Sequence, residues 1–315
     1  MSFELILPFL KPLEHLIMDP DISEIMVNGS QRVFVERHGL VSAVEGVTVE
    51  ERNLRVAVRN IARLLGDDVS EESPLLDARL PDGSRVAAVL PPCSLGGTTL
   101  TIRKFDARLW SCDELLRVGM ITKGQLTTIA DALASRQNVL ICGGTGTGKT
   151  TLLNALASLL PTSERVIVIE DTAELRLAQP NVVRFEARRA QPDAAAVTIR
   201  DLLRTALRHR PDRVIVGEVR GGEAFDLLQA LNTGHGGSLS TIHANTASQA
   251  LDRFASCVLQ SGVELPYVAI RQLIGDAIHL VVHIGRVRGT RRVEQAVRVR
   301  AFSHQRDAYD LETLD

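Results

Sequence analysis

Aromatic residues, closely spaced cysteines and an excess of either charge are all scarce in this sequence of 315 residues. Aromatic side chains make up 3% of the chain, so stacking platforms for single-stranded nucleic acid are not expected. Lys and Arg number 36 and Asp and Glu 38, and the net charge of −2 counts against a protein that mainly grips duplex DNA. The four cysteines stand far apart and form no zinc-binding spacing.

Long apolar runs are also lacking. Charged residues interrupt every candidate before it reaches the ~18–20 residues that a membrane helix needs. The amino terminus, MSFELILPFLKPLEHL, has neither the basic start nor the small-residue cleavage site of a signal peptide. These features predict a reduced, cytoplasmic protein, and they leave a peripheral attachment to a membrane complex open.

Residues 1–105 are predicted to form a small α+β domain, because short alternating strands flank one amphipathic helix. The Asn28-Gly29 pair is typical of the turn between two strands, and Gly66 should end the helix. The expected elements are strands at 22–29 and 32–39, a helix at 50–65, a hairpin at 77–90 and a strand at 99–105. Residues 106–120 show no clear periodicity and are predicted to be an interdomain linker or a short helix.

Residues 121–315 are predicted to form an α/β domain. Continuous apolar runs alternate with helical stretches, a pattern typical of a largely parallel sheet covered on both faces. The predicted strands span 138–142, 165–170, 181–185, 213–218, 238–242 and 278–284.

One glycine-rich segment fits the phosphate-loop pattern G-x-x-x-x-G-K-[ST]. It follows a predicted strand and opens a predicted helix, which is the context that this pattern requires. Backbone N–H groups of such a loop wrap a polyphosphate, Lys149 can reach the β- and γ-phosphates, and the Thr150 hydroxyl can ligate Mg²⁺. The nucleotide-binding residues are predicted to be Gly143, Gly144, Thr145, Gly146, Thr147, Gly148, Lys149, Thr150 and Thr151.

Two further strands end in a carboxylate. Glu170, followed by Asp171, ends one strand, and Glu218 ends another. Ligands bind at the carboxyl ends of strands in open α/β sheets, so either acid could hold Mg²⁺ or orient the attacking water. The residues themselves leave open which glutamate acts as the base.

These motifs occur in a characteristic order: the phosphate loop, VIEDTAEL at 168–175, RPDRVIVGEVRGGEAFDLLQALNTGHGG at 210–237 and SLSTIHAN at 238–245. Together they resemble the traffic ATPases of type II and type IV secretion, conjugation and type IV pili (the GspE/PilT superfamily), in particular the TrbB and CpaF proteins. The resemblance covers nearly the whole chain. It implies a RecA-like P-loop NTPase core with a smaller N-terminal α+β domain, and ATP bound between the two.

The resemblance also implies roles for matching residues. Glu170 would be the general base or orient water, and Glu218 would act on Mg²⁺. His243 and Thr241 would sense the γ-phosphate. Arginines on strands of the N-terminal domain would reach the transferred phosphate, and they map to Arg85 and Arg103.

Other positions keep two interpretations. Arg200, Arg204 and Arg208 recur every four residues and would form either a contact or pore-lining face or a solvated face. Arg220 would pair with an acid or with phosphate. His235, in the TGHGG segment, would lie either near the site or away from it.

The predicted function is Mg²⁺-dependent ATP hydrolysis by a homohexameric motor that powers type IV secretion, conjugation or pilus assembly through closure of its two domains. Its partners would be inner-membrane components of that machine, at the cytoplasmic face of the membrane, with no sequence-specific nucleic acid. The alternatives are a nucleic-acid-stimulated RecA-like translocase and a scaffold that binds nucleotide without hydrolysis. Which secretion, conjugation or pilus system is served stays open.

Overall fold

A computed structural model describes residues 6–37, 39–105, 109–188, 190, 194–287 and 289–314. The chain divides into two units, Met1–Arg108 and Leu109–Asp315, which are described separately below. Among the described residues, no helix combines the length and the apolar character that crossing a bilayer requires.

The first unit is a six-stranded antiparallel sheet with strand order β3-β2-β1-β6-β5-β4. Its elements are α1 (Glu14–Met18), β1 (Ile22–Asn28), β2 (Val33–Arg37), β3 (Leu40–Val44), α2 (Glu51–Leu64), β4 (Leu75–Arg79), β5 (Arg85–Val89) and β6 (Thr99–Arg103). The predicted strands, hairpin and helix of this region are confirmed. Strand β3 was not predicted, because its residues are exposed on both sides and show no alternation.

Helix α2 forms because one face is apolar along its length. Leu54, Val58 and Ile61 are fully buried in the core of this unit. The helix ends just before Gly66, whose φ of +77° is a left-handed conformation that glycine adopts without strain. The apolar periodicity and the glycine therefore set both the face and the end of the helix.

The second unit is an eight-stranded sheet with strand order β14-β13-β12-β7-β11-β10-β8-β9. Its elements are α3 (Cys112–Arg117), α4 (Lys123–Ala134), β7 (Val139–Gly143), α5 (Lys149–Ala157), β8 (Val166–Glu170), β9 (Val182–Glu186), α6 (Ile199–Ala206), β10 (Arg213–Val219), α7 (Glu223–Asn232), β11 (Leu239–His243), α8 (Ala247–Leu259), α9 (Tyr267–Ala277), β12 (Leu280–Val287), β13 (Thr290–Ser303) and β14 (Ala308–Leu314). The six strands from β12 to β9 in this order are parallel.

Two apolar cores cover the two faces of this sheet. On β7, Leu140 and Cys142 belong to one core, whereas Val139 and Ile141 belong to the other. Because successive side chains of a strand point to opposite faces, a strand that is apolar at every position must be covered on both sides. The predicted, largely parallel sheet is confirmed.

The stretch predicted as a linker or short helix contains α3. The Ser111 side chain caps this helix by accepting a hydrogen bond from the Glu114 backbone N–H. Leu115 and Met120 are buried in the core of the second unit. Residues 106–108 lie outside the described residues, and the boundaries at 105 and 120 stay a prediction.

The antiparallel hairpin of β13 and β14 was not predicted. Arginines and glutamates occupy many positions of β13, while Val293, Val297 and Phe302 are buried. Because charged residues separate the buried ones, β13 contains no continuous apolar run that would predict a strand. The hairpin extends the sheet beyond β12 and brings new residues beside the phosphate loop.

Candidate functional site

The phosphate loop joins the end of β7 to the start of α5. Gly146 and Gly148 adopt φ values of +69° and +99°, which favour glycine. A Cβ atom on Gly143 would lie 2.2 Å from the Ile284 carbonyl oxygen, so a larger residue could not pack there. The glycines therefore serve both the turn and the close packing of this loop.

Lys149 is buried at the start of α5. Its ammonium group donates hydrogen bonds to the carbonyl oxygens of Gly143 at 3.1 Å and Gly144 at 2.8 Å. The Thr147 hydroxyl also donates to the Gly144 carbonyl, at 2.9 Å. Since C=O and N–H of one peptide point in opposite directions, bonds to these carbonyls turn the next N–H groups away from the lysine. The loop and the helix start form a site suited to an anion.

Glu170 ends β8 and is almost fully buried. Its Oε1 accepts hydrogen bonds from the backbone N–H groups of Glu174 at 2.8 Å and Leu175 at 2.9 Å. Its Oε2 has no hydrogen-bond donor among the described residues and lies 3.8 Å from Arg184 Nη2. Burial raises the pKa of Glu170 to about 7, although the two N–H groups and Arg184 oppose that rise.

Gly217 on the neighbouring strand β10 leaves room for this carboxylate. A Cβ atom on Gly217 would stand 3.0 Å from the Glu170 Cγ atom. The Gly217 carbonyl lies at an irregularity in the pairing of β10 with β11, and it accepts a hydrogen bond from the Thr241 hydroxyl at 2.7 Å. Thr241 is buried and thus already serves the packing of these two strands.

His243 bridges two of the predicted site residues. Its Nδ1 lies 3.4 Å from Lys149 Nζ, and its Nε2 lies 2.9 Å from Glu218 Oε1. The second contact is within ion-pair distance, although Glu218 Oε1 makes no hydrogen bond within the described part of the chain. Burial and the Lys149 charge lower the pKa of His243, and Glu218 partly opposes them.

Glu218 also contacts Arg220. The Arg220 guanidinium donates to Glu218 Oε2 at 2.8 Å and to Asp171 Oδ2 at 3.1 Å. Of the two interpretations of Arg220, the structure has the pairing with acids. A continuous chain of contacts therefore runs along the carboxyl ends of the parallel strands. It joins Lys149, His243, Glu218, Arg220 and Asp171 in that order.

Comparison with known proteins assigns the family. The family described as "Type II/IV secretion system protein" matches residues 9–306. The chain belongs to this family. The resemblance inferred from the ordered motifs is therefore confirmed.

Individual relatives agree with this assignment. The conjugal transfer protein TrbB of Rhizobium radiobacter is 36% identical over 290 residues, which span 90% of this chain and 85% of that protein. The type IV secretion system protein PtlH of Bordetella pertussis is 36% identical over 305 residues, spanning 89% of this chain and 90% of that protein. The crystal structure of the ATPase DotB of Legionella pneumophila has a TM-score of 0.64 at 22% identity and covers 95% of this chain and 82% of that chain. This likeness confirms the predicted fold class.

The arginines that the family resemblance assigned to phosphate lie in the first unit. Arg85 on β5 is directly opposite both Arg79 on β4 and Arg103 on β6. Like charges directly opposite each other destabilise a sheet, whereas Arg103 also lies opposite Glu24 on β1, a pairing of opposite charges. That Arg85 and Arg103 contact the phosphate of a bound nucleotide stays a prediction.

The basic face predicted from Arg200, Arg204 and Arg208 is not one open surface. Arg200 Nε and Arg204 Nε lie 2.5 Å and 2.7 Å from the two carboxylate oxygens of Asp226 on α7. Arg208 lies beyond α6, in a short 3₁₀ turn. Two of the three arginines thus hold α6 against α7.

His235 lies away from the phosphate loop. It precedes β11, whereas the loop follows β7, and these strands are parallel neighbours. His235 is therefore at the opposite edge of the sheet, so of the two interpretations the structure has the distant one.

Sequence reasoning missed Arg286, which contacts the phosphate loop. Arg286, near the end of β12, donates through Nη2 to the Gly146 carbonyl at 3.1 Å. The two residues are 140 positions apart, and no local pattern links them. The signal that the sequence offered was a charged residue two positions after the apolar strand IHLVVHI.

Proposed function

We propose that this chain is a Mg²⁺-dependent ATPase subunit of a type IV secretion or conjugation machine. The observation that carries the proposal is the position of Lys149, which contacts the loop carbonyls and, through His243, the strand-end carboxylate Glu218. An anion-binding loop, a buried ammonium and strand-end acids are the parts that phosphoryl transfer to water needs. The family membership and the names of TrbB and PtlH support the assignment to such a machine.

Thr150 and Glu218 would hold the Mg²⁺ ion. Among the described residues, no group of three or more His, Cys, Asp or Glu side chains could bind a metal alone. Mg²⁺ usually keeps water and phosphate ligands and uses only one or two protein oxygens, so these two side chains would suffice. The buried Glu218 Oε1 is an acceptor of the right chemistry. When bound, the ion would neutralise the negative charge of the phosphates.

Glu170 would act as the general base. A base works best when its pKa lies near the working pH, and burial brings the pKa of Glu170 to about 7. Its Oε1 is held by two backbone N–H groups, and that leaves Oε2 to accept the proton of the attacking water. Glu218 is less suited to this role, because its Oε2 already accepts a hydrogen bond from Arg220 and its Oε1 would be used for Mg²⁺.

His243 would couple the phosphates to the rest of the site. It contacts both Lys149 and Glu218, so a displacement of the lysine towards a phosphate changes the surroundings of the imidazole. Arg85 and Arg103 would add positive charge to the transferred phosphate when the two domains close. A homohexamer at the inner membrane would convert that closure into motion, in line with the family resemblance.

The test is phosphate release by the purified full chain with ATP and Mg²⁺. Lys149→Ala should reduce turnover at least ~100-fold, because it removes the ammonium that contacts the phosphates. Lys123→Ala is the matched control, since Lys123 is an exposed lysine at the start of α4. Turnover that survives Lys149→Ala would contradict the proposal. Stimulation of turnover many-fold by added DNA would instead favour the translocase alternative.

A further inference from the structure

Strands β12 and β13 form an antiparallel hairpin that packs against the phosphate loop. A Cβ atom on Gly143 would meet the Ile284 carbonyl, and one on Gly148 would lie 3.3 Å from the Arg291 Cδ atom. The Val293 N–H also donates to the Met120 carbonyl at 2.7 Å, and this bond fixes the start of β13. The loop is thus packed against strands from the far end of the chain.

One bond between hairpin and loop is polar and directional. The Arg286 guanidinium donates to the Gly146 carbonyl at 3.1 Å. Arg286 is the second-last residue of β12. Gly146 has a φ of +69°, and a glycine can exchange between left- and right-handed conformations at little cost. The peptide that joins Gly146 to Thr147 could therefore point either way unless something holds its carbonyl.

Holding that carbonyl also orients the next N–H. In a planar trans peptide the C=O and the N–H point in opposite directions, so the bond to Arg286 turns the Thr147 N–H away from β12. The carbonyls of Gly143 and Gly144 are held from within the loop, by Lys149 and Thr147. The Gly146 carbonyl, by contrast, is held from outside the loop.

We propose that Arg286 is a positioning residue for nucleotide binding, which holds the Gly146–Thr147 peptide so that its N–H faces the polyphosphate. This inference rests on the proposed function, because it concerns the same loop. The ligand class is a nucleoside di- or triphosphate, and Arg286 acts on it through the loop backbone. Arg286 is expected to increase affinity for these ligands while leaving the hydrolytic step nearly unchanged.

The experiment measures ADP binding by calorimetry, and KM and kcat for ATP, on the full chain with Mg²⁺. Arg286→Met should raise the ADP Kd and the ATP KM about tenfold, because it removes a charge-assisted hydrogen bond, and kcat should stay within about threefold. Arg286→Lys, which keeps the charge but loses the planar fork, should give a smaller increase of about threefold. A merely structural role would lower thermal stability without this separation of KM from kcat.

Arg292→Met is the matched control, because Arg292 is an exposed arginine of the same hairpin, opposite Gly285. It should leave the ADP Kd within about twofold of the wild type. An Arg286→Met variant with wild-type Kd and KM would overturn the inference, and so would an Arg292→Met variant with an equal loss. If Arg286→Met does not fold, an unchanged Kd in Arg286→Lys overturns it.

The failure of this inference is distinguishable from that of the proposed function. A wild-type chain that binds no ADP, or a Lys149→Ala variant with full turnover, would overturn the proposed function and this inference with it. A wild-type chain that binds and hydrolyses, together with an Arg286→Met variant of equal affinity, would overturn the role of Arg286 alone.

Discussion

Strand β8 has a buried or largely buried carboxylate at each end, and the two carboxylates differ in their hydrogen-bond and ion-pair partners. Glu164, just before the strand, accepts hydrogen bonds from the Nε and Nη2 atoms of Arg213, which is 1% exposed. It also lies 3.4 Å from Arg136 Nη1. Glu170, at the other end, has two backbone donors on Oε1, and the cation found near its Oε2 among the described residues is Arg184, 3.8 Å away.

The difference separates a paired carboxylate, Glu164, from the carboxylate that we propose as the general base, Glu170. Arg213 uses its remaining nitrogen, Nη1, to donate to the Gly237 carbonyl, so each nitrogen of the buried guanidinium has an acceptor and the side chain joins β10 to the segments that precede β8 and β11. Buried charges that are fully paired hold elements together, whereas an incompletely paired carboxylate keeps a lone pair for chemistry. Under the proposed function, the loop edge of the sheet would serve the reaction, whereas the paired charges at the opposite edge stabilise the fold.

The largest expected effect is the loss of turnover when Glu170, the carboxylate at the loop end of β8, is replaced. Glu170→Gln should lower turnover by ~10²–10⁴, because the amide cannot accept the proton of water. Steady-state phosphate release at saturating ATP measures it. Glu164→Gln is the same change at the other end and should leave kcat within about threefold. Equal losses in both variants would show that the comparison does not separate chemistry from structure.

The next largest effect is the loss of stability when the ion pair of Arg213 with Glu164, at the other end of β8, is removed. Arg213→Met should lower the free energy of unfolding by ~3–5 kcal/mol, because it leaves Glu164 buried without its main partner. Denaturant titration measures it. Arg136→Gln removes the half-exposed partner of the same carboxylate and should change stability by no more than ~1 kcal/mol. A loss below ~1 kcal/mol in Arg213→Met would contradict the structural role of the pair.

The carboxylate at the loop end of β8 was predictable from the sequence, whereas the ion pair at the other end was not. Glu170 and Glu218 stand at the ends of apolar runs, and the phosphate loop has a fixed spacing, so local patterns gave their positions along the sheet edge. Arg213 and Glu164 are 49 residues apart and lie where two strands begin, and no spacing links them. Their pairing follows from the alignment of β8 with β10, which only the fold supplies.

The same limit applies to residues beside the loop. Arg286 reaches Gly146 because β12 pairs with β7, and β12 is the last parallel strand in the chain. Strand order is a long-range property, so the sequence predicted the strand but not its neighbour. His235 shows the converse, since its motif was noted but its place at the opposite edge depends on strand direction.

A smaller effect is the pH dependence of stability caused by Glu170. Burial raises its pKa from 4.5 to about 7 in the folded chain, so the native state holds a proton that the unfolded state releases between these values. This contribution is fully present below pH ~4.5 and is lost as the pH rises through ~7. Glu170→Gln should therefore be more stable than the wild type by ~1–3 kcal/mol at pH ~8 and equal to it near pH ~4.5.

Denaturant titrations of both chains at these two pH values measure the difference. The gain in stability together with the loss of turnover would sharpen the contrast between the two ends of β8, because a reactive carboxylate weakens the fold. If Glu170→Gln were no more stable at the higher pH, the elevated pKa would be contradicted.

The smallest expected effect concerns the weak partner of Glu170. Arg184 lies 3.8 Å from Glu170 Oε2 and is itself half exposed, so it favours the charged carboxylate only modestly. The other groups that face Glu170 are the Glu174 side chain, whose charge raises the pKa, and the N–H groups of Glu174 and Leu175, which lower it. Arg184→Met should move the acid limb of the kcat profile to higher pH by less than ~1 unit, because the carboxylate loses a favourable charge.

The measurement is kcat between pH ~5 and ~9, where the alkaline plateau should keep its height, since Arg184 takes no part in proton transfer. Arg188→Met provides the control, because Arg188 lies just beyond β9 and donates to the Ala195 carbonyl rather than to Glu170. A shift of the acid limb to lower pH, or an equal shift in Arg188→Met, would contradict the assignment. If Arg184→Met shifted the acid limb by well over ~1 pH unit, Arg184 would stabilise the charged Glu170 strongly. The contrast with the fully buried Arg213, which pairs with Glu164, would then disappear.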